Sequence, residues 1–217
     1  MKRIYDQKDL VYSGWDIEFD TVIGRVGGKA LLTVVLLPSQ ILIARLIDKK
    51  DQAHVCDEFD WLEHRLRNNR THQEGQEGIW WFFPTALTDR GVEMGDYLRL
   101  ERSVIDWPHQ DKKPPRRTRV FYANPYSSWM KPHIEKQHTL LRMVLPKKSW
   151  FDHLSQKDID LICSHINSYA RAKLDGKTPF EAAPAGFSHK LIRALGQKII
   201  DPDEVNLSPK LIEQLDQ

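Results

Sequence analysis

Long apolar runs are missing from this sequence. No stretch approaches the ~20 consecutive apolar residues that a membrane-spanning helix needs. The segment from Met1 to Asp6 turns polar and acidic at once, which does not fit a secretory signal peptide. Cysteine is scarce as well, because Cys56 and Cys163 are the two in the chain, and this excludes a disulfide scaffold and a cysteine-rich zinc module. We therefore expect a chain that works in a reducing cytoplasm without a membrane.

The sequence does have enough apolar material for one large domain. Its 217 residues are 41% hydrophobic and 29% charged, a composition that can bury a core and is not typical of disorder. The net charge is only +2, but ten basic and two acidic residues fall between Gln110 and Lys148, a local charge of +8. This segment is typical of a phosphate-binding surface, and a solvated loop and helix surface explains it equally well.

Hydrophobic periodicity predicts a mixed α/β chain. Strands are expected at 15–23, 30–37, 41–47, 79–88 and 119–123, and helices at 48–67, 93–103, 132–145 and 155–172. This order favours a mixed sheet flanked by helices, although order alone is compatible with several α/β folds. We divide the chain into a lead-in at 1–14, a core at 15–182 and a C-terminal helical extension at 183–217.

Three acids occupy positions from which their carboxylates can converge. Asp20 lies in the first strand, Asp89 directly after a very apolar strand, and Glu135 in the first turns of a helix. Converging carboxylates repel each other unless cations are present, and hard oxygen ligands select Mg²⁺ or Mn²⁺. Two such ions support in-line phosphoryl transfer.

Ordinary structural roles explain the same three acids. The chain has thirty acidic residues, an Asp at a strand end commonly forms a turn, and a Glu early in a helix complements the helix dipole. Position alone therefore leaves the choice between a metal site and structural acids open.

The local sequences around these acids resemble insertion-sequence transposases of the family numbered thirty, within the retroviral-integrase-like superfamily. Residues 15–24, WDIEFDTVIG, are similar to the family's W-E-x-D-T-V-I-G, and residues 83–94, FPTALTDRGVEM, to its F-P-x-x-L-T-D-N-G-x-E-F. Residues 131–147 resemble K-G-x-x-E-x-x-H-x-x-I-R-x-x-L-P-K. Further matching segments extend the resemblance over roughly residues 15–211, and several ordered motifs are more specific than any single one.

The resemblance implies an RNase H-like fold, with a mixed five-stranded sheet flanked by helices and a C-terminal helical extension. It implies that Asp20 bridges two Mg²⁺ or Mn²⁺ ions, with Asp89 on one ion and Glu135 on the other. The implied reaction is hydrolysis at the ends of a mobile element, followed by attack of the freed 3′-hydroxyl on target DNA. The implied partners are DNA and further copies of the chain assembled on it, in a bacterial cytoplasm.

Other side chains are candidates for supporting roles. His138 and Arg142 share a helix face with Glu135 and are candidates for contacts with a metal ligand or a DNA phosphate. The aromatic residues Tyr126 and Trp129 are expected to pack their loop onto the domain rather than stack on bases. The candidate phosphate contacts are Lys112, Lys113, Arg116, Arg117, Arg119, Lys131, Lys136 and Arg142.

The sequence departs from the family pattern at several places. Arg90 stands where the family has Asn, which places a cation beside Asp89, and Pro132 stands where it has Gly. Only nineteen residues precede Asp20, so we expect the family's N-terminal helix-turn-helix region to be missing. These departures keep two alternatives open: an inactive relic that binds DNA or a partner, and a stand-alone RNase H-like nuclease.

Overall fold

Five strands form one mixed sheet at the centre of the computed structural model, which describes residues 16–68, 85–104, 116–125, 127–183 and 189–213. The strands are β1 (Asp16–Ile23), β2 (Ala30–Leu36), β3 (Ile41–Ile47), β4 (Thr85–Thr88) and β5 (Arg119–Tyr122). In the order β3-β2-β1-β4-β5, the first three are antiparallel, and β4 and β5 run parallel to β1. The predicted mixed five-stranded sheet is confirmed.

Helices cover both faces of the sheet. They are α1 (Gln52–Asn68), α2 (Tyr97–Glu101), α3 (Pro132–Val144), α4 (Gln156–Asn167), α5 (His189–Ala194) and α6 (Lys210–Glu213). Successive strand residues point to opposite faces, so Leu32 and Val34 join one apolar core while Leu31 and Val35 join the other. The first core contains residues of α1, α2 and α5, and the second contains residues of α3, α4 and α6.

Local side-chain bonds set the ends of the helices. A capping box begins α4, because Ser155 and Asp158 each accept the other's backbone N–H. The predicted helix at 155–172 ends early, at Asn167, whose side chain bonds to a neighbouring strand. The predicted helix at 93–103 is also shorter, since α2 begins only after Asp96, which accepts the Arg99 N–H.

The outer edge of β3 is closed by amide side chains from α4. Asn167 accepts the N–H of Leu42 and donates to its carbonyl, both at 2.8 Å. Further along β3, the side chain of Gln156 accepts the N–H of Leu46 at 2.8 Å and donates to the carbonyl of Ala44 at 3.0 Å. The edge strand therefore finds partners without another strand, which removes a template for aggregation.

The C-terminal segment packs on the same two cores. Ile192 and Leu195 belong to the first core, and Leu211 belongs to the second. Within the described ranges, no helix has the length and apolar character needed to cross a bilayer.

Candidate active site

Asp20 and Asp89 lie side by side on two neighbouring parallel strands. Asp20 is in β1, and Asp89 directly follows β4, the parallel neighbour of β1. Glu18 pairs with Leu87 in this register, so Asp20 and Asp89, each two residues further along, are level with each other. The predicted adjacency of the two strands is confirmed.

The ammonium group of Lys131 lies between these two carboxylates. Its Nζ atom is 2.8 Å from Oδ2 of Asp20 and 3.7 Å from Oδ2 of Asp89. The Lys131 side chain is 4% exposed, and its charge offsets the repulsion between the two acids. The phosphate contact predicted for Lys131 stays a prediction.

Backbone donors fix the second oxygen of each carboxylate. Oδ1 of Asp20 accepts the N–H of Thr21 at 2.7 Å, and Oδ1 of Asp89 accepts the N–H of Gly91 at 2.8 Å. A Cβ atom at Gly91 would come within 2.7 Å of Oε2 of Glu93, so a larger residue there would displace the Glu93 carboxylate. Both Oδ2 atoms are thereby left to face the same cation.

Glu93 fastens the turn after β4 to β1. This buried carboxylate accepts the hydroxyl of Thr21 at 2.8 Å and pairs with Lys50 at 2.9 Å. Because Thr21 follows Asp20 and Glu93 follows the Asp89 turn, one side chain links the backbone beside both acids. We did not single out Glu93 from the sequence.

Three polar contacts seat α3 on β1 and β2. Glu18 accepts the N–H of Ile134 at 2.7 Å, His138 bonds to Thr33 at 2.8 Å, and Arg142 donates to the carbonyl of Ile23 at 2.8 Å. The helix residues are four apart, so they lie along one face. This face sets the position of Glu135, which is in the first turn of α3.

Glu18 is a functional candidate that the sequence interpretation missed. It lies two residues before Asp20 in β1, so strand alternation alone places both carboxylates on the face that carries α3. Burial raises the pKa of Glu18 to about 7, against the lowering effect of the backbone donors at Ile134 and His133 and of the nearby Lys131 charge.

The bonding of His138 defines which ring nitrogen carries its proton. The Thr33 hydroxyl donates its single proton to the carbonyl of Asp20 at 2.9 Å, so it can only accept from Nε2 of His138. Burial lowers the pKa of His138 to about 4, which keeps the ring neutral near pH 7. This residue therefore supports the site by joining α3 to the backbone of Asp20.

Glu135 itself is exposed on α3. Among the described residues, no group of three or more His, Cys, Asp or Glu side chains is arranged to hold a metal ion. The donor chemistry of Asp20 and Asp89 fits a divalent metal ion, because carboxylates are hard oxygen ligands. Both carboxylates also face one positive charge, the Lys131 ammonium, at the position where a metal ion would bind. Pro132, the departure from the family's Gly, occupies the first turn of α3, where proline is tolerated.

The predicted phosphate contacts do not form one surface among the described residues. Arg117 is buried and paired with Asp60 and Glu63 of α1, so the prediction of a DNA contact does not fit it. The guanidinium of Arg142 is engaged by backbone carbonyls. Lys112 and Lys113 lie outside the described residues, and the exposed members of the set are Arg116, Arg119 and Lys136.

The exposed cations lie at different ends of the sheet. Lys136 directly follows Glu135, whereas Arg119 begins β5 and pairs with Thr85, at the start of β4. Asp89 follows the other end of β4, roughly 13 Å away at the rise of an extended strand. The aromatic prediction also changes, because Trp129 is 72% exposed rather than packed on the domain, and Tyr126 lies outside the described residues.

The chain is similar in sequence to transposases of insertion sequences. The chain is 23% identical over 166 residues to the transposase of insertion sequence IS4351 from Bacteroides fragilis, covering 76% of this chain and 43% of that protein. It is 28% identical over 149 residues to an Escherichia coli IS30C transposase, covering 66% and 34%. The chain thus spans less than half the length of these relatives, and no family model matches it.

A solved structure with the same fold also matches. A chain of the simian T-cell lymphotropic virus intasome in complex with PP2A regulatory subunit B56 gamma covers 85% of this chain and 60% of its own length, with a TM-score of 0.53 and 14% identity. The fold, a mixed sheet of order β3-β2-β1-β4-β5 with helices on both faces, is the RNase H-like fold of integrase cores. The chain is a distant homologue of the IS30 and other insertion-sequence transposases.

Proposed function

We propose that this chain is a catalytic core that cuts and joins DNA by divalent-metal-dependent phosphoryl transfer. The observation that carries the proposal is the position of Asp20 and Asp89 level with each other on adjacent parallel strands, where both carboxylates share one cation. Distant homology to transposases supports the same reaction class.

Three carboxylates would hold the metal ions. Asp20 would bridge two Mg²⁺ or Mn²⁺ ions, Asp89 would hold one, and Glu135 would reach the other from the first turn of α3. When bound, the ions would supply Lewis-acid activation of the nucleophile and of the leaving oxygen. Glu18, His138 and Thr33 position this set by seating α3 against β1 and β2.

The proposed chemistry has two balanced steps. In the first, a water oxygen attacks a phosphorus at the end of the element; one P–O bond forms, the bond to the 3′ oxygen breaks, and a 3′-hydroxyl is released. In the second, that hydroxyl attacks a phosphodiester of target DNA, again with one P–O bond formed and one broken. Neither step needs an oxidant, a reductant or a covalent enzyme intermediate.

DNA and further copies of the chain are the proposed partners, in a bacterial cytoplasm. Lys136, beside Glu135, would contact phosphates nearest the reacting one. Arg116 and Arg119 would contact phosphates further along the duplex, and Lys112 and Lys113 belong to the same basic segment. Assembly on DNA would bring two element ends to one target.

A second candidate function is an inactive relic that binds DNA or a partner transposase. One observation favours it: the Lys131 ammonium fills the space between Asp20 and Asp89, where a metal ion would bind. A relic would keep the fold and lose the metal-dependent reaction.

Nicking of supercoiled plasmid with Mn²⁺ separates these candidates without knowledge of the element ends. We expect weak nicking by the wild-type chain, abolished by Asp20→Asn, Asp89→Asn or Glu135→Gln, because each change keeps the shape and removes a charged metal ligand. The acids act as one unit, so double variants should be little worse than single ones.

Asp48→Asn is the matched control, because Asp48 is a 76% exposed acid that pairs only loosely with Lys29, at 3.7 Å. It should nick like wild type. Joining of a labelled oligonucleotide bearing a 3′-hydroxyl to the plasmid would separate a transposase core from a simple nuclease. Nicking that persists at wild-type level in Asp20→Asn would reject the proposed site.

A further inference from the structure

We propose that Lys131 is the built-in counterion of the metal-free site, and that a divalent ion must displace its ammonium group to bind. The inference rests on the proposed metal-dependent function and goes beyond it, because it assigns a competitor for the metal within the same chain.

The positions of the oxygens make the ammonium and a metal ion mutually exclusive. Oδ1 of Asp20 and Oδ1 of Asp89 are each engaged by a backbone N–H, so the Oδ2 atoms remain for a shared cation. Lys131 Nζ is 2.8 Å from one Oδ2 and 3.7 Å from the other. A Mg²⁺ ion bridging these oxygens at ~2.1 Å would lie in the space that the ammonium occupies.

Burial explains why the lysine takes this position in the absence of metal. The Lys131 side chain is 4% exposed, and a buried ammonium without an anion is costly. The two carboxylates in turn repel each other unless a cation lies between them. Each side of the pair therefore satisfies the other, and the acids stay aligned before any metal arrives.

The contact between Lys131 and the two acids can be exchanged for a metal ion. The ammonium is a single point charge on a flexible four-carbon stem, and its second partner, Asp89, is 46% exposed, so a path to solvent is near. A divalent ion brings twice the charge to the same oxygens. If the lysine fills the site about 90% of the time, it weakens the apparent metal affinity about tenfold.

Isothermal titration of Mn²⁺ into the whole chain tests the competition. Lys131→Met removes the charge and keeps most of the volume, and should bind Mn²⁺ about tenfold more tightly than wild type. Lys157→Met is the control, since it removes an exposed lysine from α4, which carries none of the proposed metal ligands, and should change the affinity by less than about twofold because solvent screens its charge.

Lys131→Arg gives the proposal a second, opposite readout. A guanidinium offers several donors to two carboxylates and should hold them more firmly, so Mn²⁺ should bind more weakly than to wild type. A purely structural role for Lys131 would shift both variants in the same direction. Far-ultraviolet circular dichroism and thermal melts in EDTA establish that each variant is folded before titration.

The outcomes distinguish the displacement of Lys131 from the proposed metal-dependent function. Tighter binding by Lys131→Met with weaker binding by Lys131→Arg supports displacement. Wild-type binding that depends on Asp20, but is unchanged or weakened in Lys131→Met, overturns displacement and leaves the proposed function standing. Failure of both wild type and Lys131→Met to bind millimolar Mn²⁺ while folded overturns the proposed metal site and displacement together.

Discussion

Two buried cations, each paired with two acids, lie on opposite faces of the same sheet. On the α1 face, Arg117 pairs with Asp60 at 2.5 Å and with Glu63 at 3.5 Å. On the α3 face, Lys131 lies between Asp20 and Asp89 at 2.8 and 3.7 Å. The charges are alike, and the number of bonds that each cation makes is different.

All three nitrogens of the Arg117 guanidinium donate hydrogen bonds. Besides the two acids, Nε donates to the carbonyl of Leu100 at 2.7 Å and Nη2 to that of Arg99 at 2.9 Å, so the guanidinium joins α1 and α2 to the segment before β5. Lys131 makes one short bond, to Asp20, and a longer contact with the half-exposed Asp89. A cation held by many directed bonds stabilises the fold, whereas one held mainly by charge can be exchanged for another cation.

The largest effect should come from breaking the ion pairs of Arg117. Arg117→Met leaves the fully buried Glu63 without the Arg117 cation, while Asp60 keeps its pair with Arg99, and should lower the free energy of unfolding by about 3–5 kcal/mol. Lys131→Met should lower it by only about 1 kcal/mol in EDTA, because Asp89, one of its two partners, is 46% exposed and Lys131 makes a single short bond. Urea unfolding measures both.

Arg116→Met is the control for Arg117→Met, since the Arg116 side chain is 57% exposed and should contribute little. Equal losses from Arg117→Met and Lys131→Met would remove the distinction between a structural and an exchangeable cation.

Glu18 sharpens the comparison on the α3 face, because its charge opposes folding. Its pKa of about 7 in the folded chain exceeds the ordinary value of 4.5, so the folded state holds an extra proton between these values. Stability from Glu18 is therefore present below pH 4.5 and is lost as the pH rises to 7. From pH 4.5 to 8, Glu18→Gln should gain up to ~3 kcal/mol relative to wild type.

Paired urea titrations at pH 4.5 and pH 8 measure this gain. Two parallel stability profiles, with a constant difference between variant and wild type, would show that Glu18 ionises normally and does not seat α3 as a buried acid.

The smallest effects should come from exposed cations that contact DNA. Lys136→Ala and Arg119→Ala should each weaken binding of a DNA duplex by less than ~1 kcal/mol and reduce the slope of log K against log salt by about 1. Because Lys136 follows Glu135 and Arg119 lies at the far end of the strands, only Lys136→Ala should also slow nicking at saturating DNA. If Arg119→Ala slowed nicking as much as Lys136→Ala, Arg119 would also act close to the reacting phosphate, which would contradict this prediction.

The sequence predicted the elements better than their side-chain contacts. Strand alternation and apolar runs identified β1, β2 and β3, and the motifs placed Asp20 and Asp89 on neighbouring strands. The predicted helix ends were less accurate. The last residue of α4, Asn167, bonds to Leu42 of β3, which is 125 residues away along the chain, and a local pattern does not show such a contact.

The partners of charged side chains were the feature that we predicted least well from the sequence. Arg117 and Lys131 were grouped with surface cations, yet their partners lie 57 and 111 residues away along the chain, and local pattern carries no sign of such pairs. Glu18 was within reach, since it alternates with Asp20 on the same strand. The roles assigned to Asp20, Asp89 and Glu135 remain predictions.

Crystals soaked in Mn²⁺ would show whether a divalent ion displaces Lys131 from Asp20 and Asp89, because anomalous scattering locates the ion independently of the rest of the density. We predict an anomalous peak between Oδ2 of Asp20 and Oδ2 of Asp89, with Lys131 Nζ moved away from both. A Lys131 ammonium still paired with Asp20 at saturating Mn²⁺, and no peak between the two acids, would contradict this prediction.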